Sequence, residues 1–178
     1  MNYILETERL FLREFTLSDT KFIVELVNSP GWLQFIGDRN IKTEEQAKEY
    51  LQNGPLKSYA INGFGLSLVA LKPDETPVGM CGIIRRDSLE NPDIGFAFLP
   101  AFEGKGLAFE IANATVAYAK NVLKIPVIFA ITMPENKRSI KLLEKIGFQY
   151  TGMVNSPTDK TQLMLFSYQD ARLTVLNK

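Results

Sequence analysis

Histidine is absent from the 178 residues and cysteine occurs once. Without imidazole no His-dependent triad is available, and a zinc site would have to be built almost wholly from carboxylates, so no metal is expected. Any general acid or base must come from Asp, Glu, Tyr, Lys, Ser, Cys or water. The lone Cys81 cannot close an internal disulfide, which fits a reducing cytoplasm. An excess of either charge is missing too. Twenty Lys and Arg balance twenty Asp and Glu, so no overall field draws the chain to nucleic acid or an anionic membrane, and neither is expected as a partner. No stretch reaches the ~20 apolar residues of a membrane span, and Met1 to Glu6 lacks the basic and apolar regions of a secretory signal. What is present is a 46% hydrophobic chain, long enough for one sizeable core and short for two; one domain over residues 1–178 is expected.

Read for organisation, the chain has no low-complexity tract, repeat or linker. Arg9 to Arg13 reads as a strand, followed by a helix capped by Ser18, running to about Val27 and stopped by Pro30-Gly31. Thr43-Glu44-Glu45-Gln46 is a capping box, opening a second helix that Asn53-Gly54-Pro55 ends. Trp32 to Gly37 reads as an apolar connection. Strands are expected near Gly65 to Leu71 and Val78 to Arg85, joined by a hairpin loop from Lys72 to Pro77, and then from Asp93 to Leu99. A mostly apolar helix from Leu107 to about Leu123 should pack on the sheet. Val127 to Thr132 reads as a buried strand, Asn136 to Gly147 brackets a shorter helix, and Gln149 to Val154 and Gln162 to Tyr168 close the sheet around the loop at 155–159. The pattern is mixed α/β (α+β), with one β-loop-α-β unit among mostly antiparallel strands.

The junction Phe102-Glu103-Gly104-Lys105-Gly106-Leu107-Ala108 joins an apolar strand to the long helix. Amide groups at a helix N-terminus have no intrahelical partner and carry the positive end of its dipole, which makes such a junction an anion site. Glycine at 104 and 106 removes side chains that would block close approach and permits positive φ. Two familiar phosphate loops fail on residue identity: a dinucleotide fingerprint needs glycine where Phe109 stands, and a P-loop needs Ser or Thr where Gly106 stands. A plain strand-to-helix turn is the other reading.

What remains, Gly-x-Gly-x-Ala, resembles the pyrophosphate loop of the Gcn5-related N-acetyltransferase (GNAT) superfamily. The likeness extends over about Leu5 to Leu165. Thr7-Glu8-Arg9-Leu10-Phe11-Leu12-Arg13 is similar to the opening of the branch that holds the ribosomal-protein N-terminal alanine and serine acetyltransferases, the RimJ/RimL-like enzymes. Asp93-Ile94-Gly95-Phe96, the glycine loop through Glu110, and Asn136 to Phe148 resemble its other landmarks, in order. The resemblance implies a GNAT-like, mostly antiparallel sheet with splayed central strands flanked by helices. It implies acetyl-coenzyme A as cosubstrate, its pantetheine arm along the edge of Phe96 to Leu99, with Phe98 and Leu99 as contacts. The pyrophosphate would lie on the amides of Gly104, Lys105, Gly106, Leu107 and Ala108. Ala101 departs from the Gln or Arg that often begins the loop.

The reaction implied is acetyl transfer from a thioester to a primary amine, of a small molecule or a protein N-terminus. Asp93 stands where related enzymes often place an acidic residue and is the candidate base; a strand-edge carboxylate is its other reading. Asn136 is a good helix N-cap, and by resemblance also a cofactor contact. The Tyr acid of many members is replaced by Leu143, and Ser139 is the substitute, as a cofactor contact and hydrogen-bond donor to the thiolate. Ser139 is also the type of residue that bonds nearby backbone at a helix start. Lys105 either aids the phosphates or is simply solvated. Trp32, Phe35 and Ile36 are candidates for lining the acceptor pocket, and equally for core packing. Cys81, in a core strand with no activating His, reads as a small buried hydrophobe rather than a nucleophile. The competing class is the same fold holding acyl-coenzyme A as a sensor without turnover. Acceptor identity and the choice between monomer and homodimer are not legible.

Overall fold

The computed structural model describes residues 3–156, 159 and 161–169. The chain opens with strands β1 (Tyr3–Glu6) and β2 (Leu10–Arg13), paired antiparallel. The first of these was not expected. A 3-10 turn at Leu17–Asp19 leads into helix α1 (Thr20–Val27). The cap is Thr16 rather than Ser18: the Thr16 hydroxyl accepts from the Ser18 amide, and the Asp19 carboxylate accepts from the Thr16 amide at 2.7 Å. Asp19 also receives both Nη groups of buried Arg13 at 2.9 and 2.7 Å, so one carboxylate ties the strand to the helix start. Burial pushes that carboxyl up, but the Arg13 fork and the Thr16 amide outweigh it and hold it below its ordinary value.

Pro30-Gly31 does not merely stop α1. It opens a separate helix α2 (Pro30–Phe35), because proline suits a first helical turn, where its missing N–H costs nothing. The stretch expected to be a connection is therefore largely helical. Helix α3 (Glu44–Leu51) starts at the Thr43–Gln46 capping box as expected. It is not ended by Asn53-Gly54-Pro55: a π turn at Gln52–Leu56 absorbs the proline, and α4 (Lys57–Asn62) continues to Gly63, which closes it with φ 74°.

Strands β3 (Leu66–Leu71) and β4 (Pro77–Ile84) form the expected hairpin, followed by β5 (Asp93–Phe98), the long helix α5 (Leu107–Asn121) and β6 (Val127–Thr132). Helix α6 (Lys137–Ile146) then precedes β7 (Gln149–Asn155) and β8 (Gln162–Gln169). Of the loop expected between these last strands, Pro157 and Thr158 lie outside the described residues. All eight strands join one sheet in the order β1-β2-β3-β4-β5-β6-β8-β7, antiparallel except for β5 with β6.

Two cores sandwich this sheet. On one face Leu107, Ile111, Ala112, Val116 and Ala119 of α5 pack with Cys81, Ile83, Ile94 and Phe98. The small residues in that stripe let the helix sit close to the strands. On the other face Phe22, Ile23, Leu26, Ala47 and Leu51 of α1 and α3 pack with Leu68, Ala70 and Met80. Strand alternation assigns odd-numbered β5 residues, Asp93 among them, to this second face.

Candidate active site

The two parallel strands touch at one point. Asp93 pairs with Phe129, the Phe129 amide donates to the Pro92 carbonyl at 2.8 Å, and no further register follows among the described residues. From that vertex β5 and β6 part. Antiparallel pairing alternates the backbone groups between a strand's two sides. The Leu99 amide donates to Val78 of β4 at 2.9 Å, so odd positions face β4 and the backbone of Phe96 and Phe98 faces the gap. Leu99 itself offers little there: its amide is committed to Val78 and its carbonyl accepts from Phe102 at 2.9 Å. Phe98 is the outward-facing member of the expected pair.

The gap leads to the glycine loop. Gly104 and Gly106 both take left-handed φ, 72° and 78°, and Gly106 is the N-cap of α5. A β-carbon on Gly104 would meet nothing within 4 Å, so this glycine is required by its conformation and not by crowding. The amides of Gly104, Lys105 and Gly106 donate to no group among the described residues. Leu107 is anchored in the core and Ala108 is half-buried, which fixes the first helical turn. The Lys105 ammonium lies 5.4 Å from the centre of the Phe102 ring, a cation–π placement beside the loop.

Across the gap, Asn136 caps α6, its Oδ1 accepting from the Ser139 amide at 3.1 Å. Its amide nitrogen and the Ser139 hydroxyl have no partner among the described residues, so both side chains keep donors to spare. Arg138 of the same turn pairs with Glu103, linking α6 to the loop that precedes Gly104. Leu143, at the position of the missing tyrosine, is 1% exposed and belongs to the core.

Asp93 is 1% exposed, and Arg86 Nε donates to its Oδ1 at 2.8 Å. Burial raises its carboxyl above the ordinary value; the Arg86 charge and hydrogen bond pull it back without cancelling the rise. The nearby Tyr50 phenol on α3 is likewise raised by burial and drawn down by Arg39 and Arg86. Of the expected acceptor residues, Trp32 is 5% exposed inside the core with Leu99 and Phe102, its indole nitrogen without a hydrogen-bond partner among the described residues. Phe35 is half-buried, and only Ile36, 40% exposed, presents an open surface. Cys81 is buried against Thr115 beneath α5, and burial pushes its thiol up to about 12, so no thiolate nucleophile exists at neutral pH.

Arg9, Glu110, Arg86 and Tyr50 received no role from the sequence. The available signal was slight: Glu110 is the one acidic residue in the first turn of α5, and Arg9 abuts the fully buried Leu10.

A sheet that splays beside a helix-capping glycine loop defines an acetyltransferase fold, and the family comparison agrees. Residues 9–149 match the acetyltransferase (GNAT) domain, and the chain belongs to that family. Among its relatives is the uncharacterized N-acetyltransferase YnaD of Bacillus subtilis, 26% identical over 148 residues, 83% of this chain and 84% of that protein. The ribosomal protein uS5-alanine N-acetyltransferase of Escherichia coli is 30% identical over 102 residues, 56% of this chain and 53% of that protein. A solved structure of RimL, a ribosomal L7/L12 α-N-protein acetyltransferase in complex with coenzyme A, superposes with a TM-score of 0.80 at 15% identity, over 94% of this chain and 98% of that one. Among the described residues no group of three or more His, Cys, Asp or Glu is placed to hold a metal, and no helix is long and apolar enough to cross a membrane.

Proposed function

We propose that the protein moves an acetyl group from acetyl-coenzyme A to a primary amine by direct attack, as a cytoplasmic single-domain enzyme. One observation carries the reading: outward-facing backbone at Phe96 and Phe98 runs from a single-pair vertex at Asp93 to a loop whose amides are unspent. An extended pantetheine arm suits that edge, as an added strand would, and a pyrophosphate suits the amides of Gly104 to Ala108 at the positive end of α5. Asn136 and Ser139, half-buried on the far side of the gap, donate to the arm and to the departing thiolate. RimL, a structural neighbour of the same fold solved in complex with coenzyme A, supports coenzyme A as the group to be held.

Asp93 is the proton acceptor. A carboxyl raised by burial is a better base at neutral pH than a free one at about 3.9, and at 1% exposure it takes the proton through a relay rather than by touching the amine. Such a base suits an α-amine, whose pKa is about 7.7 to 8.0, better than a lysine at about 10.4. The acceptor is therefore a weakly basic amine, of a small molecule or a protein N-terminus; the uS5-alanine enzyme among the relatives supports the latter.

The test is a thiol-release assay with acetyl-coenzyme A against amino acids, polyamines, aminoglycosides and N-terminal peptides, with calorimetry for coenzyme A. Turnover with one acceptor class is the expected result. Cofactor binding with no acceptor active would favour an acyl-coenzyme A sensor, and no cofactor binding would remove the proposal altogether.

A further inference from the structure

The glycine loop is also held from the turn between β1 and β2, strands that stand apart from the β5–β6 gap in the sheet order. Between β1 and β2, Arg9 Nη1 donates to the carbonyl of Lys105 at 3.0 Å, while Arg9 Nε donates to Glu110 Oε2 at 2.7 Å. Glu110, in the first turn of α5, also accepts the Arg9 amide at 2.9 Å and the Thr7 hydroxyl at 2.6 Å. The strand turn, the loop and the helix start are thereby joined through one guanidinium and one carboxylate.

The consequence follows from peptide geometry. Every described peptide bond is trans, and in a planar trans peptide the C=O and N–H point in opposite directions. Lys105 C=O and Gly106 N–H belong to the same peptide. Holding the carbonyl against Arg9 turns the Gly106 amide to the opposite side, away from the brace. That peptide joins Lys105 to Gly106, with Gly104 one residue earlier, and glycine is the most freely rotating residue a chain has, so without a fixed carbonyl the turn from 104 to 106 would be loosely set. Glu110 brings a second difficulty, since an unpaired carboxylate in this turn would repel an incoming phosphate. Arg9 neutralises it at 2.7 Å.

We propose that Arg9 is a positioning residue that, anchored by Glu110 and Thr7, aims the Gly106 amide at the cofactor pyrophosphate and cancels the carboxylate beside it. The inference rests on the acetyl-coenzyme A reading above. A guanidinium is needed because it spans two acceptors in a rigid fork; a lysine ammonium has one point of charge.

The experiment compares wild type, Arg9→Gln and Arg9→Lys by calorimetry with coenzyme A and by turnover with acetyl-coenzyme A and with S-acetylpantetheine, which lacks the pyrophosphate. Both variants should weaken coenzyme A binding by roughly 10- to 100-fold, the worth of one charge-assisted hydrogen bond. Turnover of S-acetylpantetheine should stay at the wild-type rate. Arg9→Lys, which keeps the ion pair with Glu110, should melt near the wild-type temperature, so it carries the test if Arg9→Gln does not fold. Equal loss with both substrates, or wild-type affinity in Arg9→Lys, would overturn the proposal while leaving the cofactor reading intact. A wild type that does not bind coenzyme A would remove both.

Discussion

Replacing Asp93 by Asn separates two reasons a protein keeps a buried carboxylate. The substitution preserves shape, and the Asn carbonyl can still accept from Arg86 Nε, now 2.8 Å from Asp93 Oδ1. If the ion pair chiefly stabilises the fold, removing one charge strands Arg86, whose side chain is 27% exposed. The cost is then near the lower end for broken buried pairs, about 3 kcal/mol, or roughly 6–12 °C in Tm for a chain of this size. The titration argument points the other way. A carboxyl whose folded pKa is raised favours its neutral form in the folded state. That contribution to stability is complete below the unfolded value of about 3.9 and is lost as pH rises through the folded value. Above that folded value the ionised Asp93 costs stability, and Asn imitates the form that does not.

The expected outcome is a Tm at pH 7 equal to wild type or slightly higher, within a change of about 1 kcal/mol, with kcat reduced roughly 10²- to 10⁴-fold by loss of the base. Thermal melts at pH 7 and 4.5 together with thiol-release rates from pH 5 to 9 measure both. The acid limb of wild-type kcat/KM should vanish in the variant. A Tm drop near 10 °C with unchanged kcat and pH profile would refute the reasoning and make Asp93 a structural partner of Arg86.

Three further outcomes are expected. Gly106→Val forces a β-branched residue to φ 78°, costing about 1–2 kcal/mol of stability, and sets its side chain against the Arg9 guanidinium, 3.5 Å from the β-carbon, so coenzyme A affinity by calorimetry should fall beyond what the melt accounts for. Asn136→Asp keeps the cap acceptor but loses the amide donor, and Asn136→Ala loses both; equal stability in Asp and wild type with a raised KM for acetyl-coenzyme A would show the donor at work, while Ala should also lose about 1 kcal/mol in denaturant melts. Asp19, held below its ordinary value, gives stability that is present above about pH 3.9 and lost as pH falls through its folded pKa. Asp19→Asn should cost about 3–5 kcal/mol at pH 7, and the gap from wild type should narrow in acid titration of the melting temperature.

The sequence made legible the parts of this site that depend on local chemistry. Glycines at positive φ, an Asn three residues before a capped amide, and a hydrophobic stripe on α5 each satisfy a constraint within one helical turn, so residue identity at fixed spacing announces them. The strand β1 and the helix α2 escaped because pairing and packing stabilise them: β1 pairs with β2 at the sheet edge, and Trp32 of α2 is buried in one cluster with Leu99 and Phe102, some seventy residues on. Pro55 misled for the same reason in reverse. A local rule ends a helix there, whereas the observed chain widens one turn to a π form and keeps the helix going to Gly63. Trp32 shows how the two levels compete, since an aromatic that suits a pocket wall suits a core equally, and only the neighbours decide. The Arg9 brace lies at the far end of this scale. Its meaning comes from a carbonyl 96 positions away, and no property of Arg9 as a residue type distinguishes a cation that fixes a loop from one that is merely solvated. The amides that a phosphate would use are visible in the sequence; what points them is a contact that only the folded sheet creates.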